Sequence, residues 1–391
     1  MGYNAEPMPL FALALGWMVA STAAAGVDCP EGTSPAGAPP PAGTEQWCEK
    51  AGPDGPRVKH GPYESWFSEG KPKKRGAYAE GSESGSWTVW HENGFRKSEG
   101  LYKGGQRQAR WTYWYESGNK QRLGDYLNGK VHGKWTYWYE SGTPWYEGEY
   151  LLGKAHGAWV YWYESGNEEE RGGFLNGAKY GLWKRTYDNG KPVSEGKYVT
   201  GLRSGTWTYW YDNGEKKKSG SYRAGRETGA WTSWSEGGTI EQLATYGNGK
   251  LHGKVTTFYA DGAKVSEGLW LAGEKNGEWT WFYASGQAKR TEQWEKGKKQ
   301  GHWVGFYENG GKQFEGELNH GVEDGHWTHW YEDGQKKGEG DFMGGKPEGE
   351  WLSWYPSGQM KSQGRYVAGG KVGHWMMWND DGSVSSDETH D

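Results

Sequence analysis

The chain has 391 residues, of which 68 are Gly, 28 are Trp and only 34% are hydrophobic. That leaves too few aliphatics for a thick core, so aromatic rings must do the burying. The formal charge is −5, concentrated at the ends: the last nine residues hold three acids, and residues 1–50 hold five acids against Lys50. The stretch between carries mixed signs. It has no basic stripe of the kind nucleic acid requires and no apolar run long enough to span a bilayer.

Residues 8–25 are apolar and end in Ala23-Ala24-Ala25, the form of a secretory signal with an Ala-x-Ala cleavage site. Glu6 stands where such a signal usually has Lys or Arg. The expectation is a signal peptide over 1–25 and export to the periplasm, envelope or medium, with an uncleaved membrane anchor as the alternative. Residues 26–59 are Pro-rich and hold the only cysteines, Cys29 and Cys48. In an exported chain these are expected to form a disulfide. Its loop, worth about 3 kcal/mol on the entropic model, is placed to cap the N-terminal end of the segment that begins at residue 60.

From residue 60 to 382 one pattern repeats every 24 residues without insertion, fourteen times. Its clearest copy is Gly133–Lys154, GKWTYWYESGTPWYEGEYLLGK. A Gly stands two residues before the first aromatic, from Gly61 to Gly373, and only Ala109 departs from it. The aromatic is Trp in all units but two, which carry Tyr63 and Val255. A second Gly series, Gly70 to Gly382, has no exception, which points to a turn residue with φ > 0. A third series, including Gly129, Gly153 and Gly201, closes the other end of each unit. Each unit therefore reads as a β-hairpin.

In the first strand Trp135, Tyr137 and Tyr139 are expected on one face, with Thr136 and Trp138 on the other. The Gly of the second strand leaves room for a neighbouring ring to lie across it. Rings then stack into ladders. Full burial of a Trp is worth roughly 4–6 kcal/mol, and about half of that is expected to survive in a single-layer sheet. The fold expected is all-β: an elongated array of fourteen 24-residue β-hairpin repeats forming a twisted antiparallel sheet. With strands of about six residues it would be ~20 Å wide and roughly 130 Å long. Residues 383–391 are acidic and are expected to be a disordered tail.

The pattern G-x-W-x-x-W-Y-[ED]-x-G, with G-x-Y-x-x-G-K-x-x-G after it, resembles the MORN repeat family. It is more closely similar to the bacterial MORN variant of YwqK-type antitoxin proteins. The resemblance covers residues 60–382. It implies a row of antiparallel hairpins and associates the chain with scaffolding, protein contacts and phospholipid binding.

No catalytic group stands out. His132, His156 and His252 precede the unit Gly at a position that other units fill with Tyr180, Ser204 or Asn276. His302, His326 and His374 come directly after that Gly, where other units have Lys, Ala, Leu or Thr. Glu116, Glu140 and Glu164 recur with the turn and read as turn chemistry. No Gly-rich stretch opens a helix as a phosphate loop does. The reading is a non-catalytic protein-interaction scaffold of the cell envelope, with no cofactor, no metal and no nucleic acid. The candidate contact surface is Trp114, Trp138, Trp162, Trp210 and Trp234. Glycan or lipid binding, and an antitoxin-like role, are the alternatives. The protein partner is open, and exposed sheet edges allow a dimer.

Overall fold

The computed structural model describes residues 26–391 apart from Asp54, so the expected signal peptide lies outside the described residues. The chain divides into two compact units, residues 1–142 and 143–391. Both are built from antiparallel β-strands, and no helix occurs among the described residues.

The first unit opens with strands β1 (Ser34–Ala38), β2 (Glu45–Ala51) and β3 (Arg57–Trp66). β1 pairs with β2, and β2 pairs with β3, the first strand of the repeats. The Pro-rich segment is thus part of the sheet. Cys29 and Cys48 are disulfide-bonded across a Cα–Cα distance of 5.5 Å, and Cys48 is fully buried.

Each repeat is a hairpin, as its glycines indicate. In the second unit Leu202–Trp210 pairs with Lys216–Arg223, which pairs in turn with Arg226–Trp234. The loop Tyr211–Glu215 closes with Gly214 N–H donating to Tyr211 O at 3.0 Å and Tyr211 N–H donating to Glu215 O at 2.9 Å. Gly214 has φ 92°, and every member of its series, Gly70 to Gly382, is likewise in the left-handed region. This is a type I turn ending in a left-handed Gly. The opposite turn is a two-residue one in which both residues have positive φ, as at Ala224-Gly225 and Thr200-Gly201. That geometry matches the right-handed twist of the flanking strands.

Two expectations about the strands are corrected. The first strand is longer than expected: it runs nine residues, as in Lys130–Trp138, through the unit Gly. That Gly is a bulge. Gly220 pairs with Trp231 but Ser221 pairs with Thr228, so Gly229 and Ala230 are skipped on that side. The unit glycines all have positive φ, 66° at Gly229 and 68° at Gly133, and Ala109 adopts the same conformation at 52°. Tyr139 lies beyond the strand end, at the start of the loop, so it does not share a strand face with Trp135. The tail is also corrected: Val384–His390 is a strand paired with Gly370–Trp378, with Glu388 opposite Trp375. Its backbone hydrogen bonds to a neighbouring strand outweigh the charge that argued for disorder.

An Ala held in the left-handed region is strained, and Ala109 is exposed, so removing its methyl loses little burial. Ala109→Gly is expected to stabilise the Gln106–Leu127 hairpin by about 0.5–1 kcal/mol. Slower amide exchange confined to that hairpin would show it; unchanged exchange would mean the strain is relieved elsewhere.

Candidate functional site

The Trp that opens each repeat lies flat on the backbone of a glycine. A Cβ added at Gly196 would sit 2.2 Å from Cδ2 of Trp207, and one at Gly148 would sit as close to Trp159. The indole N–H donates to the carbonyl one residue past that glycine, as from Trp207 Nε1 to Lys197 O at 3.1 Å. In several units, though not in those with Glu83, Val131, Ala155, Glu227, Glu323 or Pro347 at that place, the opposite ring face is covered by a cation four residues earlier. Arg203 lies 5.0 Å over Trp207, Lys179 3.6 Å over Trp183 and Lys275 4.2 Å over Trp279. Tyr198 meets Trp207 edge-on at 5.0 Å, and Tyr209 stacks on it at 5.9 Å. Burial pushes the Tyr209 hydroxyl pKa up, and its partner Tyr222 OH, 3.2 Å away, reinforces the shift.

These contacts chain together. In the first unit an edge-to-face series runs from Tyr78 and Trp87 to Tyr126 and Trp135. In the second, one runs from Trp159 to Tyr246 and another from Trp327 to Trp375. Trp135 is fully buried and Trp207 is 3% exposed. The expectation that half of each Trp's burial would be lost is therefore corrected for these rings, because a glycine backbone lies against one face and neighbouring side chains cover the rest.

The five candidate contact residues belong to a different row. Trp114 and Trp138 lie in the first unit, and Trp162, Trp210 and Trp234 in the second; all five are half-buried at the strand end. A Tyr from the preceding repeat, or His91 in the case of Trp114, holds the backbone of this row. Tyr115 OH donates to Trp138 O at 2.8 Å, and Tyr187 and Tyr211 do the same to Trp210 O and Trp234 O. The loops stack in step, with Asn213 Nδ2 donating to Glu236 O at 2.8 Å. Thr186 interrupts the row between Trp162 and Trp210. Trp330 and Trp354 continue it, with Lys312 and Lys336 over their rings at 5.7 and 5.9 Å. The three His directly after the unit Gly face carboxylates: His302 is 3.1 Å from Glu315, His326 is 2.8 Å from Asp341, and His374 contacts Asp387.

Sequence reasoning missed two exceptions to the strand-glycine series. Ala244 replaces Gly opposite Val255, the one unit that lacks a ring there. Glu292 replaces Gly opposite Trp303. The Glu292 carboxylate is 1% exposed; Trp294 Nε1 donates to it at 3.1 Å, with Arg290 Nε 3.0 Å and Lys299 Nζ 3.8 Å away. Trp303 is only half-buried, and its N–H has no acceptor. Aligning the units on Gly148 rather than on the unit Gly exposes both exceptions. Burial lowers the pKa of Lys275, nearby, and also that of His329, where Lys337 adds to the effect.

Comparison with protein families matches the MORN repeat variant at residues 131–151, 203–224, 275–296, 323–343 and 347–368. The chain carries MORN repeats of this variant in those five stretches. The matched stretches are a minority of the chain, but the same 24-residue step carries the MORN pattern through residues 60–382. No curated protein matches the sequence. Among solved structures, the TCP10 domain of Danio rerio CPAP, determined with a peptide of STIL, is 14% identical. That match covers 53% of this chain and 98% of the other, with a TM-score of 0.21. TcdB2-TccC3 is 11% identical over 90% of this chain and 20% of its own, with a TM-score of 0.16. The Tc holotoxin pore of Photorhabdus luminescens is 10% identical over 86% of this chain and 20% of its own, also at 0.16.

Val255→Trp alone is expected to destabilise by about 1–3 kcal/mol, because the new ring meets the methyl of Ala244. Adding Ala244→Gly should recover most of that loss, and a double-mutant cycle by denaturant unfolding measures the coupling. For His329, the lowered folded-state pKa means that the unfolded chain takes up the proton first. Stability is therefore full above about pH 6.5 and falls as pH drops from there toward the folded-state pKa. His329→Tyr, the residue that Tyr209 supplies in its own unit, should flatten the stability slope between pH 7 and 5 by a fraction of one proton. An unchanged slope would assign the acid loss to the carboxylates.

Proposed function

We propose that the chain is a non-catalytic interaction scaffold exported to the cell envelope, and that it grips a protein partner through the strand-end Trp row. The observation that carries this is a half-exposed ring whose backbone is held at fixed spacing by a Tyr hydroxyl from the repeat before. Equivalent rings recur about every 9.6 Å, two strand spacings. Several weak contacts made at once by such a row add up to useful affinity without any deep pocket. Half-buried Trp, with part of its ring packed and part open, is also the side chain that most often anchors protein interfaces. Export is supported by the Cys29–Cys48 bridge, since disulfides persist in oxidising compartments.

Lipid contact is a second reading, favoured by a different observation. The residue before the two-residue turn is apolar and exposed at Leu151, Leu175, Val199, Leu271, Met343 and Val367. Lys154 and Lys346 pair with two of these positions. An apolar edge flanked by lysines suits an anionic lipid surface.

The test is cross-linked capture of partners by the full chain in its own cells, set beside a Trp210→Ser/Trp234→Ser variant. One or two proteins enriched by the wild type and reduced about tenfold by the variant are expected. A toxin among them would give the scaffold an antitoxin role. Equal capture by both chains would overturn the Trp row as the contact surface. Sedimentation with anionic vesicles at low salt only, without enriched protein, would replace the scaffold reading with the lipid one.

A further inference from the structure

Three departures from the repeat coincide at one place in the second unit. Glu292 stands where a Gly normally receives the Trp. Gly305 stands where Tyr209 stacks on Trp207 in its own unit, and Leu318 stands where Tyr222 closes the edge. Together they interrupt the aromatic series between Trp279 and Trp327, and beside Leu318 lies a groove of about 540 Å³.

The groove is small-molecule sized, within the ~300–1,000 Å³ of ligand pockets. Two half-exposed rings, Trp303 and Phe314, line it. Phe314 has moved into the space over Gly305, where a Cβ would meet it at 2.2 Å. Lys299, Glu323 and His329 supply the polar side chains. The Lys299 ammonium is held 3.8 Å over the Trp303 ring. The buried Glu292 carboxylate, also 3.8 Å from it, is what anchors it there. Glu292 Oε1 accepts no hydrogen bond, although Arg290 Nε lies 3.0 Å away. A charged group left in this state at 1% exposure costs stability unless something offsets it. A glycine would have been the unstrained choice, as the neighbouring units show.

We propose that this groove is a binding site for one neutral saccharide, distinct from the scaffold surface. The chemistry of the lining selects that class. Lys299 and Arg290 balance Glu292 and Glu323 in charge, so neither an anion nor a cation gains net attraction. The exposed parts of the Trp303 and Phe314 rings offer apolar surface to the C–H groups of a pyranose. An ammonium donor and a carboxylate acceptor on the rim satisfy hydroxyls, each of which both donates and accepts. A purely apolar ligand would leave Glu323 without a partner.

The experiment titrates the full chain with cellotriose, chitotriose and xylotriose at millimolar concentration, using tryptophan fluorescence and saturation-transfer NMR as readouts. At least one trisaccharide should bind. Trp303→Ala and Phe314→Ala should each weaken it about tenfold or more. Glu292→Gly, which lets Trp303 lie flat as Trp327 does, should weaken binding while leaving the unfolding midpoint equal or higher. Trp114→Ala, on the scaffold row, should leave binding unchanged. No binding by any of the three sugars overturns the proposal. So does binding that survives Trp303→Ala and Phe314→Ala, or that falls equally with Trp114→Ala.

Discussion

The contact of an indole face with a glycine backbone governs this fold. An indole can lie flat on a strand only where the residue beneath it has no Cβ. That forces Gly196, Gly220 and their equivalents, since any larger residue would place a carbon within about 2.2 Å of the ring. Once the ring is down, its N–H reaches the next carbonyl, its edges meet the aromatics of the adjoining strands, and its open face accepts a cation. The bulge at the unit Gly belongs to the same arrangement. By skipping two residues it brings Arg203, opposite Tyr198, and Trp207, opposite Gly196, within two positions of each other on one face, where the guanidinium reaches the ring. A chain with 34% hydrophobic residues gains a dry core in this way, because glycine covers one face of the ring and, in the units that carry one, a cation four residues earlier covers the other.

The chain supplies its own control for that rule. Where the ring is absent, at Val255, the glycine is absent too and Ala244 fills the space. Where the glycine is absent but the ring remains, at Glu292 and Trp303, the ring is only half-buried and its N–H lacks an acceptor, whereas Trp351, half-buried over Gly340, keeps its bond to Asp341 O. The two exceptions depart in opposite ways. The three Trp of this series whose N–H lacks an acceptor, Trp87, Trp231 and Trp303, show that ring burial and the indole hydrogen bond are separable. Trp87 and Trp231 stay buried without that bond. Face contact with glycine therefore decides the position of the ring, and the hydrogen bond is secondary.

How much of this was legible in the sequence depends on whether a residue acts within its own repeat or across repeats. The period, the hairpins and the positive φ of Gly214 and its series were readable, because a slot filled only by glycine states a local backbone demand. The disulfide was readable from an even pair of cysteines in a chain expected to be exported. The bulge was not, since a Gly before a Trp looks the same in a linker and in a mid-strand kink. The order of Val384–His390 was not, because composition weighs charge while the strand is held by its neighbour's backbone. At the site, the Trp114 row was recognisable as aromatic, but the hydroxyls that hold it come from 23 residues earlier, and spacing alone does not reveal a donor. Glu292 was overlooked for a related reason. A single carboxylate among 50 acids is conspicuous only when the chain is aligned on the glycine it replaces.

Repetition also separates the two kinds of surface the protein offers. A ring that recurs at constant spacing can contribute only the same weak contact many times, so it suits an extended partner and tolerates the loss of any one copy, as Thr186 shows. A departure that occurs once cannot act by summation. Whatever Glu292, Gly305 and Leu318 achieve together must be achieved at that place, and they achieve it against the packing rule that every neighbouring unit obeys. Selection for stability alone would erase such a break, since a Gly, a Tyr and an aromatic would each restore contacts already proven in this chain. At that point in the array, binding a specific small molecule explains the residues better than holding the sheet together does.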